Sequence, residues 1–195
     1  MGQPIKDLTQ AWLTTLSQVT LATIATNGAA NPCSLDDAVH RLRVCAKANA
    51  GRGGRFIIFG NGGSLAIASH IATDYMLCDW PSIALTDSVA LTSHTNDFGP
   101  AANFTKQLEL LRLHTHDIIV AMSCSGKSPN ILDAVRFAKA RRNPIITLSG
   151  FKPDNPLRLL GDLNFYVPSR EYGFVQIAHE SILHAACDIE NGWSP

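Results

Sequence analysis

With 195 residues, 46% hydrophobic and 16% charged, the sequence has the balance of one packed globular domain, which excludes a disordered chain. Sixteen Lys and Arg offset sixteen Asp and Glu, so no basic field is present to attract nucleic acid or an anionic membrane, and any anion must be bound locally. The five cysteines, Cys33, Cys45, Cys78, Cys124 and Cys187, are odd in number and form no CxxC pair, which argues against a disulfide framework or a cysteine zinc site and fits a reducing cytoplasm.

The first residues, MGQPIKDLTQAWLTTLSQVTLATIATNG, lack a compact apolar stretch, so no signal peptide is expected. Elsewhere no apolar run approaches the ~20 residues of a membrane span. Leu8, Trp12, Leu16, Val19 and Ile24 are spaced to predict an amphipathic helix over 6–26, ended by Asn27-Gly28. Ser34 caps a second helix that carries Leu35, Val39, Leu42 and Val44 and stops near Gly51. The pattern then alternates: strand 55–59, helix 64–77, strand 82–85, helix 101–113, strand 117–122, helix 129–141, strands 144–148 and 163–167, and a closing helix 172–190. Short apolar strands alternating with helices predict an α/β fold of three layers, a mostly parallel five-stranded sheet between helices. Ligands of such sheets sit at the carboxyl ends of strands. We therefore expect one domain over 1–195, with 1–50 a helical extension and 54–190 the α/β core. A long amphipathic helix outside that core has to bury its apolar stripe, which predicts packing on another subunit.

Two strand-to-helix turns carry the anion chemistry. Gly60-Asn61-Gly62-Gly63-Ser64 can turn its backbone N–H groups toward an anion at the positive end of a helix, although it is neither GxxxxGK[ST] nor GxGxxG and so implies no nucleotide cofactor. Taken alone it is equally a tight turn with Ser64 as helix cap. The second turn, Ser123-Cys124-Ser125-Gly126-Lys127-Ser128-Pro129-Asn130, offers three hydroxyls around one glycine before a helix with Pro129 in its first turn. Two hydroxyl-rich helix starts at strand ends in one small domain favour a phosphate site over capping alone. Lys127 is read as a solvated loop lysine or an added charge.

His70 and Asp74 lie about 40° apart around one helix, and Gln176, Glu180 and His184 advance by fours along another, with His179 between them. Imidazoles and carboxylates converging from two helices can bind a divalent metal or move protons; spacing alone equally fits a solvated or interfacial helix face. His114-Thr115-His116-Asp117 precedes a strand, at the end away from both turns, and reads as a solvated turn. Trp12, Trp80 and Trp193 read as packing residues.

FGNGGS followed by SCSGKSPN resembles the sugar-isomerase (SIS) domain, of the flavodoxin-like type, and the whole chain is similar to its phosphoheptose isomerase branch. The likeness includes the two leading helices, an Asn96-Asp97-Phe98-Gly99 turn and the final helix. It implies that Ser123, Ser125 and Ser128 hold a phosphate, with Cys124 where threonine is usual and Lys127 where asparagine is. Asn61, Gly62, Gly63 and Ser64 line the same pocket, and Asn96 and Asp97 meet the sugar, with His94 nearby. It further implies that His70, Asp74, Gln176 and His184 can surround a zinc ion, and that Asp74 and His184 carry a proton between C1 and C2 of an open-chain sugar. Asp74 stands where glutamate is usual and is one methylene shorter, and Glu180 stands where an apolar residue is usual. Glu180 facing the pocket would partly compensate for the short Asp74; a surface or subunit-interface glutamate is the other reading. The resemblance implies a cytoplasmic homotetramer with sites between subunits, acting on a seven-carbon sugar phosphate that feeds heptose synthesis for surface glycans. Two other classes are open, a non-catalytic protein resembling the DnaA initiator-associating protein and a sugar-phosphate-sensing regulator. His184 favours an enzyme, and no DNA-binding helix-turn-helix is visible.

Overall fold

The computed structural model describes residues 5–28 and 31–195. Along the chain these form α1 (Ile5–Leu21), β1 (Ile24–Asn27), β2 (Asn31–Cys33), α2 (Leu35–Ala50), β3 (Phe56–Gly60), α3 (Gly63–Leu77) and β4 (Ser82–Ala84). Next come α4 (Ser88–Phe98), α5 (Asn103–Leu110), β5 (Ile118–Ser123), α6 (Pro129–Ala140), β6 (Ile145–Ser149), β7 (Leu163–Tyr166) and α7 (Tyr172–Glu190). The sheet is seven-stranded, ordered β2-β1-β7-β6-β5-β3-β4. The five expected strands are all parallel, and β1 and β2 extend the β7 edge antiparallel.

That ribbon corrects the helix expected over 6–26. The helix stops where Thr23 turns its hydroxyl back to the Thr20 carbonyl, and Ile24-Ala-Thr-Asn27 pairs with β7 instead. A tertiary partner decides it: the buried amide of Asn164 on β7 donates to Thr26 Oγ1 at 3.2 Å and to the Gly28 carbonyl at 2.7 Å, while its oxygen accepts from Thr147. Hydrogen bonds of this kind to a buried amide pin the register of an edge strand.

Successive side chains of the central strands alternate between two cores, as period two requires. Phe56, Ile58, Val120, Met122, Ile146 and Leu148 face α2, α3 and α7, while Ile57, Phe59, Ile119, Ala121 and Ile145 face α5 and α6. Trp80 packs in the first core against Phe56 and Tyr75, as a packing residue should. Helix α2 sends Ala38, Val39, Leu42 and Ala46 into that same core. Helix α1 lies on α7 through Trp12 and Phe174, ring centroids 5.0 Å apart, and leaves Leu8, Leu13 and Leu21 exposed. Among the described residues, no helix is long and apolar enough to cross a membrane.

Helices α3 and α7 run side by side in the same direction. Gly63 meets Gln176 near one end, the Tyr75 hydroxyl reaches the Leu183 carbonyl farther along, and a disulfide joins Cys78 to Cys187 at the other end. The cysteine count gave no reason to expect this single cross-link; its two members lie 109 residues apart in sequence and only the packing of α3 on α7 brings them together. Cys33, Cys45 and Cys124 are free.

His179, one of the polar residues on the closing helix, is fully buried and serves this packing rather than the site. Its Nε2 lies 3.1 Å from the Ser149 carbonyl; because a carbonyl only accepts, that nitrogen carries the proton and Nδ1 is left without a partner among the described residues. Burial pushes the imidazole down to about 4 from 6.5, against the opposing effect of the Ser149 bond. The native ring stays neutral between those two values while the unfolded ring takes a proton, so stability falls as pH drops from about 6.5 to about 4. The loss should be on the order of 3 kcal/mol. Urea unfolding at pH 7, 5.5 and 4.5 checks it: His179→Gln is expected to show a distinctly shallower decline than the parent, and parallel declines would refute the assignment.

Candidate active site

Strands β3 and β5 are adjacent and in register, Gly60 beside Met122, so the two glycine and serine turns leave the sheet side by side at its carboxyl edge. Both capping alternatives fail there. Gly62, not Ser64, is the N-cap of α3, and its φ of 55° suits glycine. Ser64 is 2% exposed and turns its hydroxyl toward the second loop, 4.0 Å from Cys124 Sγ. Ser128 is the N-cap of α6 by backbone position, yet its side chain caps nothing and meets the Ser123 hydroxyl at 3.2 Å. Asn61 and Asn130 exchange amide hydrogen bonds of 3.0 and 2.9 Å, tying one turn to the other.

The second turn is held from below. Gly126 has a φ of 63°, and a Cβ there would collide with the side chain of buried Asn155. Asn155 donates to Ser149 Oγ at 3.1 Å and to the Lys152 carbonyl at 2.8 Å, and accepts from the Arg158 N–H. His179 and Asn155 thus both hydrogen-bond Ser149, the register partner of Ser123 at the start of the serine loop. Lys127 points to solvent, and its backbone N–H donates to Ser125 Oγ at 3.3 Å.

Asn61, Ser64, Ser123, Cys124, Ser125, Ser128, Tyr172 and Gln176 enclose a polar cavity of about 130 Å³. Burial raises the Cys124 thiol despite hydrogen bonds to Ser64 and Gln176, so it stays a neutral thiol at neutral pH and is no nucleophile. The larger cavity, about 640 Å³, lies under α2 among Pro144, Ile145, Asp162 and Leu163, at the starts of β6 and β7 and so at the end of the sheet away from both turns. A sheet of this type binds its ligands at the carboxyl edge, where the small polar cavity and not the larger one lies.

Two turns along α3 from Gly63 a second polar group gathers. Asp74 Oδ2 lies 3.3 Å from His184 Nδ1 and 3.5 Å from His70 Nε2, and the two imidazole centroids are 5.0 Å apart. Glu180, half-buried on α7, joins the histidines: one donor atom each from His70, Glu180 and His184 lie within 4.8 Å of one another. Such spacing suits a divalent ion with N and O ligands at roughly 2.0–2.2 Å. Glu180 therefore faces the site, not the surface. Gln176 sits one turn before Glu180 with its amide over Gly63, where an added Cβ would lie 2.5 Å from its Oε1.

Other expected site residues lie apart. Asn96 and Asp97 are not in a turn but in the last turn of α4, exposed and bonded to each other at 2.9 Å, and they do not line the serine cavity of their own chain. Ser88 to Phe98 coils because Asp87 accepts from the Ala90 N–H as an N-cap, a start signal the reading of that segment as loop passed over. His94 is half-buried on the same helix, beside Gln107 and Leu111. Thr115 and His116 do form a turn, with His114 and Thr115 exposed, but Asp117 just before β5 departs from the solvated reading: it is fully buried and bonded to Arg55. Tyr172, on the cavity wall with its ring edge against Phe151, was missed, although its place four residues before Gln176 on α7 puts it on the same face.

The SIS domain family matches residues 34–150. The phosphoheptose isomerase of Pelobacter propionicus is 35% identical over 145 residues, 71% of this chain and 76% of that one. The phosphoheptose isomerase of Burkholderia pseudomallei is 36% identical over 158 residues, 77% and 79% of the two chains. A solved phosphoheptose isomerase from Francisella tularensis superposes with a TM-score of 0.82 at 27% identity, covering 98% of this chain and all of that one, 100%.

Proposed function

This chain belongs to the SIS domain family, with phosphoheptose isomerases among its relatives, and from that premise we propose that it is an aldose–ketose isomerase interconverting sedoheptulose 7-phosphate and glycero-manno-heptose 7-phosphate. The observation that carries the reading is that one pair of helices bears both halves of the site. Gly63, His70 and Asp74 recur on one face of α3 opposite Gln176, Glu180 and His184 of α7. At 1.5 Å per residue, His70 stands about 10 Å along the helix from the serine cavity, the scale of an extended sugar chain anchored by its terminal phosphate.

In this reading Ser123, Ser125 and Ser128 hold the phosphate with hydroxyl hydrogen bonds, and Asn61, Gly62, Gly63, Ser64, Cys124 and Gln176 complete the wall. Aldose–ketose conversion moves one proton between neighbouring carbons through an enediol. Asp74 takes the C–H proton from one carbon as the carbonyl oxygen gains a proton to give the enediol. The neighbouring hydroxyl then loses its proton as His184 gives one to the other carbon, and Asp74, 3.3 Å away, returns its proton to His184. The shorter side chain withdraws a base by roughly 1 Å relative to glutamate, enough to matter for a proton that must lie within about 3 Å. The contacts of Asp74 with both imidazoles nevertheless keep it in the catalytic group. His70 and His184 would hold a zinc ion, with Asp74 and Gln176 the further ligands that the resemblance implies, and the ion when bound would polarise the sugar carbonyl. No nucleotide takes part.

Assembly belongs to the same proposal. The exposed Leu8, Leu13 and Leu21 of α1 are apolar side chains that a homotetramer would bury, and Asn96 and Asp97, exposed on α4, would act on the site of a neighbouring copy. The non-catalytic and regulatory alternatives are not favoured by the phosphoheptose isomerase relatives. Incubating the zinc-loaded protein with sedoheptulose 7-phosphate and following the anomeric region by NMR tests the activity. New aldose signals are expected, and no turnover together with capture of a replication initiator would replace this reading with the non-catalytic one.

A further inference from the structure

Glu180 has no role in the set of residues that the family resemblance supplies, yet its surroundings demand a cation. Glu180 is half-buried, with a carboxylate oxygen within 4.8 Å of a ring nitrogen of both His70 and His184, the two imidazoles that Asp74 also meets. No lysine or arginine among the described residues forms an ion pair with it, in contrast to Glu190 ten residues on, which Arg43 and Lys47 hold at 3.0 and 2.6 Å. A carboxylate partly withdrawn from water without a cation is destabilised, and a bound divalent ion relieves it. Gln176, meanwhile, packs its amide over Gly63 and lines the serine cavity beside Cys124.

We propose that Glu180 is a metal ligand particular to this chain, forming with His70 and His184 a two-histidine, one-glutamate site, while Gln176 serves the phosphate side. Two imidazoles and one carboxylate are a ligand set of catalytic zinc sites, which keep one position open for an oxygen of the substrate. A full negative charge in place of a neutral amide favours a divalent ion, and it leaves the Asp74 carboxylate free for the proton. The inference rests on the isomerase reading only for the use made of the ion; binding is separate.

The test is zinc binding by the full chain, stripped with chelator and titrated by calorimetry, with cobalt absorption as a second readout. The parent is expected to take one ion per chain. Glu180→Gln should weaken it by at least about 10–100-fold, with the cobalt spectrum altered. Gln176→Ala should bind zinc as the parent does. Circular dichroism melts of the metal-free proteins show that each variant is folded. Parent-like affinity in Glu180→Gln, no ion bound by the parent, or a Gln176→Ala loss of at least tenfold would each overturn the proposal; the last holds even where Glu180→Gln does not fold. If zinc affinity falls in Glu180→Gln but the zinc-loaded parent does not turn over sedoheptulose 7-phosphate, the metal site stands and the isomerase reading fails.

Discussion

Replacing His184 by alanine is expected to lower kcat for sedoheptulose 7-phosphate by about 10²–10⁴-fold, the usual worth of a positioned acid or base, with KM nearly unchanged. The split follows from the distribution of the site along α3 and α7. Substrate affinity in the proposed reading comes mainly from the phosphate in the serine cavity, where Ser123, Ser125 and Ser128 lie, and His184 lines none of it. Its imidazole instead stands 3.3 Å from Asp74 and within reach of His70 and Glu180, where the proton moves. Steady-state kinetics at saturating zinc, with circular dichroism to show an intact fold, give the answer. Undiminished kcat would overturn the assignment of His184, and an unchanged kcat with raised KM would move it to substrate binding.

The second large effect is on stability. Asp117→Ala is expected to cost about 3–5 kcal/mol, because it strips a buried charge network of its only anion. Asp117 Oδ1 accepts from the Arg55 backbone N–H and Nε at 2.9 and 3.1 Å, and Oδ2 accepts from Arg55 Nη2 and the His114 N–H at 2.7 and 2.9 Å. Burial alone would raise this carboxyl, but the guanidinium and the two backbone donors outweigh it and hold it below its ordinary range. Its contribution is therefore present at neutral pH and is lost only as pH falls through that depressed value. For a chain of this size the cost corresponds to a drop of roughly 6–20 °C in Tm. Asp117→Asn, which keeps one acceptor, is expected to lose less. A change below 1 kcal/mol in Asp117→Ala by urea unfolding would show that solvent replaces the network.

Arg55 and Asp117 sit at the starts of β3 and β5, whereas the serine cavity lies at the other ends of those strands and the imidazole group stands on α3 and α7. The two predictions are therefore separable: His184→Ala should leave the melting transition of the metal-free protein almost untouched, and Asp117→Ala should leave kcat of the folded fraction close to that of the parent. Between them runs the sheet itself, which positions both serine and glycine turns through the register of β3 and β5.

By itself the sequence determined the parallel sheet, its two glycine- and serine-rich turns and the helices that flank them, because those features are local. Strands buried on both faces must read as unbroken apolar runs, as in Ile57-Ile58-Phe59 and Ile118 to Met122, and a turn that exposes N–H groups must be glycine-rich or hydroxyl-rich wherever it folds. The resemblance carried His70, Asp74 and His184 to positions that do come together. The tertiary structure alone decided the rest. Ile24–Asn27 is a strand because Asn164, far along the chain, captures its edge, and no periodicity in four residues can announce that. Ser64 and Ser128 are cavity walls rather than caps because β3 and β5 are neighbours in register, and Asp117 is buried because Arg55 is beside it. Glu180 faces the histidines because α7 runs parallel to α3 at one rotation about its axis. Spacing by fours records that Gln176, Glu180 and His184 share a face; which neighbour that face meets is a fact of packing between segments about a hundred residues apart.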